Sequence, residues 1–241
     1  MSILLAKADR PAERPAEPRL PREVLLARMR RALFLAESHL GLTAPNPSVG
    51  CVIVNAESGE IVGSGVTGRS GRPHAETQAL RAAGAAARGA ILFVTLEPCS
   101  HFGVTPPCAE AIVAAGVGAV VYGSLDPDPR VAGRGLDLLR RHGISAHASD
   151  FQAEADWINL GHILRSTQRR PFVQLKLGVD ANGRVPKGGG APVFVSGPEA
   201  LGFGHLLRAK ADAILVGRGT LAADDPELTC RLPGLEERSP I

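Results

Sequence analysis

The sequence is poor in aromatic residues and contains no long hydrophobic run. Aromatic residues make up 4% of the 241 residues, so a core must be built mainly from Ala, Val, Leu and Ile. No segment has the length of apolar residues that a membrane-spanning helix needs. The formal net charge is +3, and no basic stripe interleaved with aromatics accompanies it. The composition predicts a globular protein that binds neither membrane nor nucleic acid.

Cysteine is also scarce, with four in the chain. The short apolar start at residues 3–6 is followed at once by charged residues, which does not fit a secretory signal. We therefore expect a cytoplasmic protein. In that reducing compartment cysteines bind metals or act in catalysis more often than they form disulfides.

Strand and helix patterns alternate between residues 21 and 150. Short apolar runs predict strands at residues 49–54, 61–65, 90–95, 119–122 and 144–148. Helical patterns lie before, between and after these runs. Strands joined by helices favour a sheet that is covered on both faces. The sequence predicts a three-layer α/β/α domain with a mixed, mostly parallel sheet.

The flanking segments have a different character. Residues 1–20 are rich in Pro, Arg and Glu and are predicted to be a disordered lead-in. Residues 151–170 are predicted to be a connecting helix. Residues 171–241 open a second α/β unit, with strands at 173–177 and 213–216 and a helix at 198–209. Two strands cannot enclose a nucleotide-binding sheet, and their exposed edges favour a homo-oligomer.

Three potential metal ligands lie where predicted strands meet helices. His74 precedes a helix, Cys99 follows the strand at 90–95, and Cys108 begins the next helix. One imidazole and two thiolates suit Zn²⁺, and three protein ligands leave a fourth position for water. Bound zinc lowers the pKa of its water towards about 7. Glu76 does not share the ligand face and can transfer protons, which matches the general pattern of zinc deaminases.

Two alternatives to a catalytic metal centre are a structural zinc site and simple core packing. A structural site favours four protein ligands. Neither remaining cysteine fits as the fourth, because Cys51 lies inside a buried strand and Cys230 lies outside the domain. The catalytic interpretation is therefore favoured. The spacing departs from the general deaminase pattern, since eight residues rather than two separate Cys99 from Cys108.

Several longer motifs resemble the bifunctional deaminase/reductase family of riboflavin biosynthesis. In the first domain they are TAPNPSVGCV (43–52), GRPHAE (71–76), TLEPCSH (95–101), TPPC (105–108) and DPDPRVAG (126–133). In the second they are LK (175–176), LRA (207–209), DAILVG (212–217) and DDPELT (224–229). The resemblance implies a cytidine-deaminase-like fold. It also implies zinc-dependent conversion of 2,5-diamino-6-(5-phosphoribosylamino)pyrimidin-4(3H)-one to 5-amino-6-(5-phosphoribosylamino)uracil, followed by an NADPH-dependent reduction.

The resemblance also assigns roles to residues outside the metal site. In the deaminase, Asn46 and His101 are expected to bind the pyrimidine. In the reductase, the expected NADPH contacts are Gly178, Thr220 and Asp224. The expected substrate contacts there are Arg208, Leu228 and Arg231.

Departures from the family pattern fall at positions where a cation would meet phosphate. Thr67 replaces a frequent histidine, and Val104 replaces a usual Arg or Lys. Arg69 or Arg72 could compensate. In the second unit, the family's SLDG stretch reads DANG at residues 180–183, and its Ser and Trp correspond to Pro192 and Phe194. We expect the reductase to be absent or incomplete, with NADPH bound only if it is complete.

Two rival functions remain open from the sequence. One is a different zinc deaminase that acts on a free nucleoside, nucleotide or tRNA base. The long loop between Cys99 and Cys108 and the PNP turn at 45–47 argue against it. The other is a non-catalytic remnant, which the short second unit favours and the intact metal-binding pattern opposes.

Overall fold

The computed structural model describes residues 18–103, 106–128, 132–185, 195–238 and 240. Its strands are β1 (Gly50–Val54), β2 (Ile61–Val66), β3 (Ile91–Leu96), β4 (Ala119–Ser124) and β5 (Ser145–Ala148). Its helices are α1 (Arg22–Ser38), α2 (Ala75–Ala83), α3 (Cys108–Ala115), α4 (Arg134–Arg141), α5 (Gln152–Ile158), α6 (Leu160–Gln168), α7 (Pro198–Ala209) and α8 (Arg218–Asp224). Short 3₁₀ turns lie at Arg69–Gly71 and Gly84–Ala87. Of the predicted disordered lead-in, residues 1–17 lie outside the described residues.

The five strands form one sheet in the order β2-β1-β3-β4-β5. Strand β1 is antiparallel to both of its neighbours, whereas β3, β4 and β5 are parallel to one another. Four strands therefore run in one direction and β1 runs in the other, which confirms the predicted mixed, mostly parallel sheet. Strands β1 and β3 are buried along their whole length, as central strands covered on both faces should be.

Two hydrophobic clusters cover the two faces of the sheet. Successive residues of a strand point to opposite faces, so Ile53 and Leu92 pack with α2, α3 and α4, while Val52 and Phe93 pack with α1 and α5. All four side chains are fully buried. This arrangement confirms the predicted three-layer α/β/α domain.

Glycines in β2 let helix α2 lie unusually close to the sheet. A Cβ atom at Gly65 would lie 2.2 Å from the Ala75 carbonyl oxygen, and one at Gly63 would lie 2.4 Å from that of Ala79. No side chain fits in either gap. The close packing fixes the start of α2, where His74 and Glu76 are located.

The connecting helix predicted over residues 151–170 is divided in two. Helices α5 and α6 are separated at Asn159, where the backbone leaves helical geometry. The side-chain oxygen of this buried residue accepts the Ser48 N–H at 3.0 Å, so the break is tied to the segment before β1. Beyond this break, His162 and Arg165 of α6 line the cavity that also contains His74 and Glu76.

The strands predicted at residues 173–177 and 213–216 are wrong. Both segments lack regular secondary structure, and Leu175 and Leu215 are 78% and 98% exposed. A strand needs a neighbouring strand to satisfy its backbone groups, and the described residues place none beside them. The helix predicted at 198–209 is confirmed as α7, whereas α8 was not predicted.

The C-terminal segment contacts the end of α1. Lys210 Nζ lies 2.7 Å from the Glu37 carboxylate, and Arg238 donates to the Ser38 carbonyl oxygen at 2.6 Å. Gly41 faces the end of α7 so closely that a Cβ atom would lie 2.4 Å from the Ala209 carbonyl oxygen. In the part of the chain that the structure describes, no helix has the length and apolarity needed to span a membrane.

Candidate functional site

The three predicted metal ligands meet at one end of the sheet. The Nδ1 atom of His74 lies 3.2 Å from the Cys108 sulfur and 3.7 Å from the Cys99 sulfur. All three donor atoms lie within 4.8 Å of one another. Among the described His, Cys, Asp and Glu residues, this is the one group with such geometry. The fold brings them together because Cys99 follows β3 while His74 and Cys108 stand at the starts of α2 and α3.

The donor set fits Zn²⁺. Tetrahedral zinc with ordinary Zn–S and Zn–N bond lengths separates a ligand sulfur from a ligand nitrogen by roughly 3.6 Å. The two nitrogen–sulfur distances lie on either side of this value. With three protein ligands, one tetrahedral corner remains for a reacting molecule, as in catalytic zinc sites.

Mutual hydrogen bonds prepare the two cysteines for metal binding. Hydrogen bonding from Cys108 lowers the pKa of Cys99 to about 4, with a further contribution from the His74 imidazole. The same bond to Cys99, together with burial, raises the pKa of Cys108. Metal binding requires both sulfurs in the thiolate form, so it releases any proton that they hold.

Glu76 lies beside the ligands at the bottom of a cavity. Its side chain is buried, and it lines the same space as His74 and Cys99. Burial, with the nearby Cys99 thiolate, raises the pKa of Glu76 to about 7. A carboxyl group with a pKa near neutrality can both accept and release protons at physiological pH.

The cavity above the metal centre has a volume of about 480 Å³. Asn46 and His101, the predicted pyrimidine contacts, both line it. The Asn46 side chain packs directly against Gly71. A Cβ atom added at Gly71 would lie 1.8 Å from the Asn46 side-chain nitrogen. His101 is exposed at the opening, as a residue on a loop over the site should be.

The structure distinguishes between the two arginines proposed to compensate for the missing cations. Arg72 lines the cavity. Arg69 instead forms a surface ion pair with Glu237, with 3.3 Å between a guanidinium nitrogen and a carboxylate oxygen. Thr67 also lines the cavity, but its buried hydroxyl accepts the Val49 N–H at 2.9 Å and donates to the Val49 carbonyl oxygen at 3.4 Å. Val104 lies outside the described residues, as do Pro192 and Phe194.

Several cavity residues were not identified from the sequence. Glu97 and Asp126 lie inside the EPC and DPDP motifs, so the resemblance offered a signal for them. His162 and Arg165 come from α6. No motif marked this helix, and nothing in its sequence indicated that it returns to the metal centre.

The residues assigned to the reductase lie elsewhere. Arg208 and Arg231 both contact His205. The His205 Nδ1 atom is 3.0 Å from an Arg208 side-chain nitrogen and 3.2 Å from the Arg231 backbone nitrogen. Thr220 and Asp224 are exposed on α8, and Gly178 and Leu228 lie outside the helices. None of the six lines the cavity at the metal centre. Their assigned roles stay predictions.

Comparison with protein families identifies two matched regions. Residues 23–124 match the cytidine and deoxycytidylate deaminase zinc-binding region, and residues 171–241 match the RibD C-terminal domain. The first match contains His74, Cys99 and Cys108 together with Glu76. The second covers the segment for which a reductase-like unit was predicted.

Relatives whose sequences align with most of this chain are riboflavin biosynthesis proteins. RibD of Escherichia coli is 48% identical over 88% of this chain and 57% of its own length, and RibD of Aquifex aeolicus is 42% identical over 90% and 60%. The chain thus spans a little over half the length of these curated relatives.

Solved structures give the same result. RibD of Acinetobacter baumannii aligns with a TM-score of 0.77 at 39% identity, over 87% of this chain and 58% of that one. A Thermotoga maritima protein, described as a diaminohydroxyphosphoribosylaminopyrimidine deaminase/5-amino-6-(5-phosphoribosylamino)uracil reductase, aligns with a TM-score of 0.75 at 36% identity, over 88% and 60%.

Proposed function

Because this chain belongs to the RibD family of riboflavin biosynthesis proteins, we propose that its metal centre is the active site of a zinc-dependent hydrolytic deaminase. The proposed substrate is 2,5-diamino-6-(5-phosphoribosylamino)pyrimidin-4(3H)-one, and the products are 5-amino-6-(5-phosphoribosylamino)uracil and ammonia. The observation that carries this proposal is the meeting of His74, Cys99 and Cys108 beside the buried carboxyl group of Glu76.

The protein residues divide the chemistry between metal binding and proton transfer. His74, Cys99 and Cys108 would hold Zn²⁺, which when bound supplies Lewis acidity and lowers the pKa of a coordinated water towards about 7. The Glu76 carboxylate accepts a proton from the attacking water and delivers it to the amine that leaves as ammonia. Burial raises the pKa of Glu76 from its ordinary value, which favours a carboxyl group that can release the proton again.

The cavity has the size and polarity expected for such a substrate. Its volume of about 480 Å³ falls within the usual range for small-molecule sites, roughly 300–1,000 Å³. Asn46 can donate and accept hydrogen bonds at a pyrimidine edge, and His101 lines the same opening. The position of Arg72 in the wall supports it, rather than Arg69, as a contact for the substrate phosphate.

Ammonia release from three compounds tests the proposal. The phosphoribosylated diaminopyrimidine is expected to be the preferred substrate over cytidine and guanine, with one zinc bound per chain. Preference for cytidine or guanine would identify a different deaminase. Zinc binding without ammonia release from any of them would identify a non-catalytic protein.

A conservative substitution tests the proton-transfer role. Glu76→Gln keeps the size of the side chain but cannot carry the proton, so it is expected to retain zinc and to lose about 10²–10⁴-fold in kcat. Glu110→Gln, at an exposed position on α3, is the matched control. Retained turnover in Glu76→Gln would show that another group transfers the proton.

The cationic residues are tested by substitution at both arginines. Arg72→Ala is expected to raise KM for the phosphorylated substrate, whereas Arg69→Ala should have a smaller effect because that side chain pairs with Glu237. An unchanged KM in both variants would contradict a role in phosphate binding.

For residues 171–241 we propose no reductase activity in this chain alone. A dinucleotide crevice requires a sheet, and residues 171–185 and 195–238 contain no strand. The residues that the resemblance assigns to NADPH (Gly178, Thr220 and Asp224) therefore do not lie beside a sheet that could form a dinucleotide crevice. NADPH oxidation in the presence of the deaminated product, at a rate above background, would contradict this proposal.

A further inference from the structure

Helix α6 contributes one wall of the cavity at the metal centre. His162 and Arg165 both line this space together with His74 and Glu76. They are three residues apart, so they lie on the same face of the helix. The helix begins directly after Asn159, which separates it from α5. A helix from outside the deaminase core thus faces the metal ligands.

The imidazole of His162 lacks hydrogen-bond partners. Both ring nitrogens are buried from solvent, and neither has a partner among the described residues. A buried polar atom left without a partner is destabilising and rare in folded proteins. A ligand that offers an acceptor oxygen inside the cavity would satisfy the N–H of this ring.

The charges around the cavity indicate where an anionic group would lie. Arg165 is exposed at the side of His162, and burial together with the positive charge of Arg165 lowers the pKa of His162. Asp126 and Asp128 also line the cavity and would repel an anion. The Glu97 carboxylate is already used, because it accepts three backbone N–H groups. Two arginines line the cavity, Arg72 and Arg165, and an anion would therefore lie near them and away from the carboxylates.

The family's usual phosphate contacts do not explain binding here. Thr67 replaces a frequent histidine, and its hydroxyl is engaged with the Val49 backbone. Val104 carries no charge in place of the usual Arg or Lys. In this chain the cavity offers other groups to a phosphate: Arg72, Arg165 and the unpartnered ring of His162.

We propose that His162 and Arg165 on α6 bind the phosphate group of the deaminase substrate. Arg165 supplies the fixed positive charge, and His162 donates a ring N–H to a phosphate oxygen. The inference rests on the proposed deaminase function for the identity of the substrate. It extends the active site beyond the residues 21–150 that were expected to form the deaminase.

Direct binding of ribose 5-phosphate, measured by calorimetry on the zinc-loaded full chain, is the first test. Arg165→Ala is expected to weaken binding about 10-fold, since a charge-assisted hydrogen bond contributes about 1.5 kcal/mol. Arg165→Lys should restore part of the affinity. His162→Phe is expected to weaken binding severalfold, and His162→Gln, which keeps an N–H donor, less so. Arg170→Ala removes an exposed arginine just beyond α6 and should leave binding unchanged.

Steady-state kinetics provide the second test. Arg165→Ala and His162→Phe should raise KM for the phosphorylated substrate, leave kcat nearly unchanged, and leave KM for the dephosphorylated analogue unchanged. An equal loss with both compounds, or unaltered affinity for ribose 5-phosphate in variants of wild-type melting temperature, would overturn the inference. If the wild-type chain does not deaminate the substrate, the proposed function fails. Ribose 5-phosphate binding then still decides whether the α6 wall is a phosphate site.

Discussion

Glu97 is expected to be a structural anchor of the active site rather than a reacting group. Its buried carboxylate accepts the N–H groups of Asp126 at 3.3 Å, Gly133 at 2.9 Å and Gly135 at 3.0 Å. These donors belong to the loop after β4 and the start of α4. One side chain therefore connects the segment that carries Cys99 to the opposite wall of the cavity.

The structure allows the cost of removing this carboxylate to be estimated. In Glu97→Ala the Gly135 N–H is left buried without a partner, which costs about 2–3 kcal/mol, and the two partly buried donors lose about 1 kcal/mol each. The sum, about 4–5 kcal/mol, is a large part of a typical domain stability of 5–15 kcal/mol. Glu97→Gln keeps one acceptor oxygen and should cost about 2–3 kcal/mol.

Urea unfolding followed by circular dichroism measures these costs, with zinc content determined in parallel. We expect the free energy of unfolding to decrease in the order wild type, Glu97→Gln, Glu97→Ala, and zinc affinity to follow the same order. Glu110→Gln, on the exposed side of α3, should change stability by no more than about 0.5 kcal/mol. A Glu97→Ala protein as stable as the control would refute this assignment.

Three further predictions concern packing, metal and pH. Gly65→Ala should destabilise the fold by about 1–3 kcal/mol and weaken zinc binding, because the added Cβ would displace α2; Gly202→Ala, which has open space in α7, is the control in the same urea assay. Chelation should lower the melting temperature, and added zinc should restore it. Burial, with Arg238 and Arg69, lowers the pKa of His39. Stability should therefore fall as the pH drops below the ordinary value of about 6.5, and His39→Gln should flatten that fall in melting-temperature measurements.

The elements of the deaminase domain could be predicted because their local signals agree with the tertiary structure. The run at 90–95 is apolar throughout, and β3 is buried on both faces, so periodicity and packing require the same residues. The helix at 198–209 begins at a proline, and α7 has that proline in its first turn. Where local pattern and packing agreed, the strand boundaries differed by at most two residues and the bounds of α7 did not differ.

The strands predicted at 173–177 and 213–216 are absent from the described structure because local pattern and packing do not agree there. An apolar run indicates that residues can be buried, but it does not supply the neighbouring strand that a sheet requires. Leu175 and Leu215 remain largely exposed in the described structure. A strand forms only when a second segment pairs with it. The sequence of one segment does not show whether such a partner is present.

In the candidate site, the residues with a specific chemical role could be predicted, whereas those that only line the cavity could not. His74, Glu76, Cys99 and Cys108 could be identified because metal binding and proton transfer restrict residue types at fixed places beside strands and helices. His162 and Arg165 carry no such restriction, since many residue types are compatible with a helix. Their place in the cavity depends on how α6 packs in the folded chain, where Asn159, just before this helix, accepts a hydrogen bond from Ser48, more than a hundred residues earlier. Recognition of the metal is therefore encoded locally, whereas recognition of the rest of the substrate depends on contacts formed only in the folded chain.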